Sequence, residues 1–395
     1  MRSLVVFCAG SMWLLQAQSG DLTPETLLLA KIRLHMIENL HRQPNYTCVE
    51  TVERSNRNGA ARKFQLGDTL RLEVALVDGK EMFGWPGAKK FEDADLRSIV
   101  PTGAIGNGNF ALHARAIFET SAATFDYRGT EDSAVRYDFH VPLMLSGYRI
   151  QVAEKEAIVA YHGYFQADSA SLDVRRIEVV ADDIPSRLGV AQAIDRVEYD
   201  RVRIGEGDFL LPAGSELTLV DLDGREHRNR VRFASCRQFA GESVLSFDEA
   251  PPETAPPPTM AAEIEVPAGL GLSLSLLDAI DANQAVIGDP VRARLESALK
   301  YKGQVLFSKG ATVTGRISRV QKQEDSTMVG IEFTEIESAT ARARLKPSFE
   351  DLAEDSVLIP RMQRRGLDPR PGEGIIPLRP GRFHLQRGIL MFWRT

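Results

Sequence analysis

Apolar positions along this chain first recur at helical spacing and then, for most of its length, at every second residue. Thr23-Pro24-Glu25 has the form of a helix start, with Thr as N-cap, Pro at the first helical position and an acid in the first turn. Leu29, Ile32, Met36 and Leu40 follow three to four apart, and Pro44 predicts that the helix stops before it. From Tyr46 to Arg54 the period falls to two, which places Tyr46, Cys48, Glu50 and Val52 on one face of a strand. Leu70, Leu72, Val74 and Leu76 share another strand face, and Asp78-Gly79 predicts a hairpin into residues 81–85. The device repeats at Asp223-Gly224, between residues 217–222 and 225–233. Strands are also predicted over 149–152, 157–165, 172–180 and 196–204, which together make a long antiparallel meander.

One stretch interrupts it. Phe110, Ala114, Ile117 and Phe118 lie at i, i+4, i+7 and i+8 and predict an amphipathic helix behind the glycine-rich loop 103–109. That loop lacks the preceding strand and the following Lys-Ser/Thr of a phosphate cradle, so it reads as a hinge for an apolar helix lying on the sheet.

Residues 250–258 hold five prolines in nine positions, which neither a sheet nor a helix accommodates. This run predicts a linker between a first domain over 19–249 and a second over 259–395. In the second, Leu270, Leu272, Leu274 and Leu276 alternate, as do Val291, Ala293 and Leu295, and Val313, Gly315 and Ile317. Residues 361–380 are rich in Arg, Pro and Gly and read as an extended tail, and 388–393 as a last strand docking on the β-rich domain.

Composition changes this picture in three ways. Residues 1–18 carry one basic residue, a short apolar run and then small and polar residues, the layout of a secretory signal peptide. Export leaves Cys48 and Cys236 in an oxidising compartment, where a disulfide between them is expected, the alternative being two buried thiols. The net charge is −6, which excludes a nucleic-acid binder of the basic-patch kind. Residues 339–395 nevertheless hold 11 Lys+Arg against 6 Asp+Glu, a basic tail that suits an anionic surface or an envelope protein as partner.

With one N-terminal amphipathic helix, a meander broken by a short helix, and the segments Tyr199-Asp-Arg-Val202 and Phe209-Leu-Leu-Pro212 before the last hairpin, residues 22–247 resemble the LolA/LolB lipoprotein-carrier superfamily. The resemblance implies an α+β N-terminal domain, a curved antiparallel half-barrel with helical lids whose concave face holds a lipid or acylated ligand. In the second domain, Pro267-Ala-Gly269, Gly288-Asp-Pro-Val291 and residues 306–316 stand in the order of the β-barrel domain of TrbI-like secretion-channel subunits, over 263–346. That likeness implies a mainly-β small barrel or sandwich. The chain lacks that family's transmembrane anchor and its apolar hairpin helix.

Chemistry is sparse. The seven histidines form no HxxxH, HxH or Cys/His cluster, so neither a metal nor a cofactor is expected. Serine elbows are absent, and Asp182-Asp183 and Glu350-Asp351 read as solvated turns. With the resemblance, the expected function is that of a non-enzymatic protein, periplasmic or otherwise exported and open to association with the outer membrane, that binds an apolar or lipidic group. Its ligand-binding candidates are Trp85, Phe110, Ile117 and Phe118, and the β-rich domain attaches it to an envelope partner. A structural adaptor without a cavity is the alternative, and an envelope hydrolase the third reading.

Overall fold

The structure, a computed structural model, describes residues 22–59, 61–87, 91, 96–100, 110–152, 155–239, 262–322, 327–353, 369–379 and 383–395. The signal-peptide, glycine-loop and proline-linker readings fall outside these residues, as does the 361–368 part of the tail.

Helix α1 (Pro24–Arg42) begins where the cap predicted it, with Thr23 Oγ1 accepting from Thr26 N at 3.3 Å. It buries Ile32, Met36, Asn39 and Leu40 on one face. The chain then runs through β1 (Tyr46–Arg57), β2 (Gln65–Val77), β3 (Lys80–Gly84), the short helices α2 (Leu96–Ile99) and α3 (Leu112–Phe118), β4 (Thr124–Glu131) and β5 (Ala134–Val141). A small hairpin, β6 (Arg149–Val152) and β7 (Lys155–Ile158), precedes β8 (Ala160–Asp168), β9 (Val174–Asp182), β10 (Val190–Ile204), β11 (Gly207–Asp221) and β12 (Glu226–Gln238). Ten of these strands form one antiparallel sheet in the order β3-β2-β1-β12-β11-β10-β9-β8-β5-β4, so the first strand lies beside the last. Asp78 and Gly79 both have positive φ in the turn between β2 and β3, as a two-residue hairpin with right-handed strand twist requires.

The outer face of this sheet is a ladder of opposite charges. Arg196 pairs with Glu178, Arg176 with Glu198, Arg230 with Glu216 and Arg232 with Glu53. The inner face is apolar and aromatic, and α1 and α3 are packed onto it.

The expectation of an α+β domain roofed by helical lids is corrected here. Among the described residues there are twenty-five strands, one long helix and two short ones, so the fold is mostly β around a large curved sheet. The apolar period over 110–118 yields a helix of only 7 residues, because Phe110 and Ala111 precede it with non-helical backbone. Strands as long as the 15 residues of β10 and of β11 take up most of the chain instead.

The second sheet holds β13 (Ala262–Glu263), β14 (Gly271–Leu276), β16 (Pro290–Leu295), β19 (Thr312–Lys322), β20 (Thr327–Glu337), β21 (Ala341–Arg344), β22 (Ser348–Leu352), β23 (Glu373–Leu378) and β25 (Leu390–Arg394). The pairs β15 (Ile280–Asp281) with β24 (His384–Leu385), and β17 (Leu299–Tyr301) with β18 (Gln304–Phe307), lie beside it. Within the tail, residues 373–378 are a buried strand on β20, where the Arg, Pro and Gly content had suggested extended chain. The fully buried Trp393 touches Phe333 at 5.0 Å and Phe349 at 5.4 Å between ring centroids, and these rings anchor a single core.

The two sheets meet at the edge of β2. Strand β3 covers β2 only over Glu73–Val77, which leaves the backbone of Thr69 and Arg71 unpaired on that side. Ile287 fills it: Arg71 N donates to Ile287 O at 2.7 Å and Ile287 N donates to Thr69 O at 3.0 Å. Arg71 is ion-paired with Asp289, and the Arg316 guanidinium sits 4.7 Å from the centre of the Trp85 ring. Only glycine fits at Gly288, since a Cβ there would lie 2.2 Å from Arg71 O and 2.8 Å from the Trp85 ring.

Candidate functional site

The candidate site is the concave face of the first sheet, where polar side chains stand inside an aromatic core. Alternation along β1 aims Tyr46, Cys48, Glu50 and Val52 inward, as the period predicted. Antiparallel register sets Phe233 and Leu72 on either side of Glu50, and Leu76 and then Glu81 in line with Tyr46. Phe110 lies between two of these rings, 5.1 Å from Tyr46 and 5.1 Å from Phe233.

Helix α3 is fastened into this face at several points. The Glu81 carboxylate accepts from Ala111 N at 2.7 Å and Leu112 N at 3.2 Å, supplying the N-terminal cap that α3 lacks in its own sequence. His113 Nε2 lies 3.0 Å from Asp195 Oδ2 of β10. Arg33 of α1 donates to the carbonyls of Phe118 and Thr120, and Arg115 to the carbonyl of Leu40. Asn39 fixes α1 in turn, exchanging two hydrogen bonds of 2.9 Å with the backbone of Leu210.

Several polar atoms in this interior have no hydrogen-bond partner among the described residues, among them Tyr46 OH, Glu50 Oε2, Tyr199 OH and Asp195 Oδ1, and also Arg33 Nε and Arg115 Nε. Burial pushes the Glu50 carboxyl up to about 8, and the neighbouring Glu81 adds to the effect, so Glu50 is mostly neutral at pH 7. Burial likewise raises the phenols of Tyr46, Tyr199 and Tyr148 far above their usual range, with the nearby carboxylates Glu81 and Asp195 contributing. The interior thus favours neutral, hydrogen-bonding heads set among rings.

Three of the four residues singled out from sequence fall in this face. Phe110, Ile117 and Phe118 are 1%, 0% and 0% exposed, with Phe118 edge-on to Phe165 at 5.1 Å. Trp85 packs at the margin of the cluster that holds Tyr46 and Phe110, where the second sheet brings Gly288 and Arg316 against it. Cys48 and Cys236 are joined as a disulfide across β1 and β12. Glu81, Asp195 and Tyr199 were not picked out from sequence. Glu50 could have been, since it carries a charge at an inward position of a strand whose neighbours on that face are Tyr, Cys and Val.

Among the described residues, no three His, Cys, Asp or Glu side chains converge as a metal site, and no helix is long and apolar enough to cross a membrane. No family model and no curated protein matches the chain. Among solved structures it is similar to a LolA superfamily protein from Nitrosomonas europaea, with 11% identity over 54% of this chain and 97% of that one, at a TM-score of 0.28. A likeness that slight carries no argument, and the functional reading below rests on the geometry.

Proposed function

We propose that this is an exported, non-enzymatic binding protein of the cell envelope, in which the concave face of the first sheet takes up an amphiphile and the second, β-rich unit attaches the protein to an envelope partner. The single observation behind the reading is the set of partnerless polar atoms of Tyr46, Glu50, Tyr199 and Asp195 inside an aromatic core. An unsatisfied buried polar group costs about 1–3 kcal/mol. Four of them in one face are expensive for a permanently closed core, and they make sense where a ligand's polar head enters with its apolar body. The Cys48–Cys236 disulfide supports the exported location.

Phe110 is packed between Tyr46 and Phe233 in this face, so a ligand's body enters where the Phe110 ring yields its place. The adaptor reading has its own support in the same full burial of Phe110, Ile117 and Phe118. A titration separates the two. A long-chain alcohol with a fluorophore at its chain end should bind saturably, one per chain, and be displaced by unlabelled alcohol. No uptake up to the probe's solubility limit would remove the binding reading and leave the adaptor.

A further inference from the structure

Among the described residues, each charged group on the concave face except one has at least one partner, although Arg33 Nε, Arg115 Nε and Asp195 Oδ1 are themselves left without one. The Glu81 carboxylate holds the backbone N–H groups of Ala111 and Leu112, and Asp195 holds His113. Arg115 is taken by Glu119 and by the carbonyl of Leu40, and Arg33 by the carbonyls of Phe118 and Thr120. Glu50 is the exception. It is 2% exposed, its Oε2 has no partner among the described residues, and the charged group acting on it is another acid, Glu81. Around it stand three rings: Phe233 directly across the ladder, Tyr46 four residues along the same face, and Phe110 in contact with both.

We infer that Glu50, with the rings of Tyr46 and Phe233, anchors the positively charged head of an apolar amine. This rests on the concave-face reading and names the ligand class for it. An ammonium is attracted to ring faces and to a carboxylate alike, and a water-poor site strengthens both attractions. A carboxylate or phosphate head at this position would instead meet Glu50 and, close by, Glu81. An alcohol would satisfy one polar atom and gain nothing from the acidic field. Phe110, which packs on both rings, is the side chain whose place the amine's apolar body takes.

Binding then carries a proton balance. The free protein holds Glu50 protonated below about pH 8, and the complex pairs ammonium with carboxylate, so one proton leaves to solvent for each amine bound. Affinity should rise with pH, by about tenfold per unit below that value.

The test is calorimetric titration of the whole protein with decylamine, decanol and decanoate at pH 6, 7 and 8, in two buffers of different ionisation enthalpy. At pH 8 decylamine should bind at least about tenfold tighter than either of the others, and near pH 6 it should release close to one proton. Glu50→Gln should abolish the preference for the amine and keep decanol binding. The proton count on the unmodified protein decides the matter if that variant does not fold. Decanol binding with no preference for the amine, tighter binding of decanoate, or amine binding without proton release would overturn this inference and leave the concave-face reading standing. Binding of none of the three would overturn that reading and this one with it.

Discussion

Ile287 lies parallel to Leu70 in a single bridge, so that chain from the second unit completes the free edge of β2 and joins the apolar core of the first. Among the described residues, the Arg71–Asp289 pair, the Arg316–Trp85 stack and the close packing of Gly288 on Trp85 reinforce it. A junction this small resembles a contact between domains rather than one shared core. We expect fragments 19–249 and 259–395 each to unfold cooperatively in urea, with the first somewhat destabilised by exposure of Leu70. A fragment that lacks a cooperative transition alone and regains it when the other is added would contradict the division.

The disulfide closes a loop of 188 residues between neighbouring strands. The chain-entropy model assigns such a closure roughly 5 kcal/mol, less whatever structure the reduced unfolded chain retains. The Cys48→Ala/Cys236→Ala double variant should lose stability on that scale, and non-reducing peptide mapping of the oxidised protein should recover the linked peptides. Two free thiols in folded, oxidised protein would contradict the pairing.

If binding displaces the Phe110 ring, which immediately precedes α3, weakening the fastening of α3 should help the ligand. Arg33→Met removes both donors to the C-terminal end of α3, at Phe118 O and Thr120 O, while keeping an unbranched apolar stem. Apparent affinity for the fluorescent alcohol should rise about three- to tenfold, because a larger fraction of the protein is competent to bind, and denaturant stability should fall by about 1 kcal/mol. Lower stability with unchanged affinity would mean that α3 is permanent core.

Glu50 makes a signed forecast for stability against pH. Its folded-state value is raised from 4.5 to about 8, so the fold favours the neutral acid. That contribution is complete below about pH 4.5 and is lost as pH rises toward 8. Between those limits the difference in unfolding free energy between wild type and Glu50→Gln should change by about 1.4 kcal/mol per pH unit, the wild type losing ground as pH rises. Urea titrations at pH 5, 6, 7 and 8 measure it, and parallel curves would show that Glu50 is not held neutral.

Much of the strand layout was legible in the sequence, because period-two alternation and the Asp-Gly turns act locally. Tyr46, Cys48, Glu50 and Val52 share a face as predicted, and the 78–79 turn pairs β2 with β3. That residues 110–118 fill the concave face instead of roofing it was not legible, since an apolar stripe has the same appearance in either case. What fixes α3 is distant in sequence: Glu81, Arg33 and Asp195 reach it from three other elements. The role of Trp85 was hidden for the same reason, as its partners Gly288 and Arg316 lie some two hundred residues on, in the other sheet. The burial of residues 373–378 was masked by their Arg- and Pro-rich surroundings, although Ile375, Ile376 and Leu378 are apolar.

The most direct test of a ligand-binding concave face is native mass spectrometry of the protein purified from its own host without detergent. The account predicts a population heavier than the polypeptide by a few hundred daltons, one small amphiphile per chain, released by organic solvent and diminished in Glu50→Gln. A single species at the mass of the polypeptide, from protein kept cold and free of detergent throughout, would contradict it.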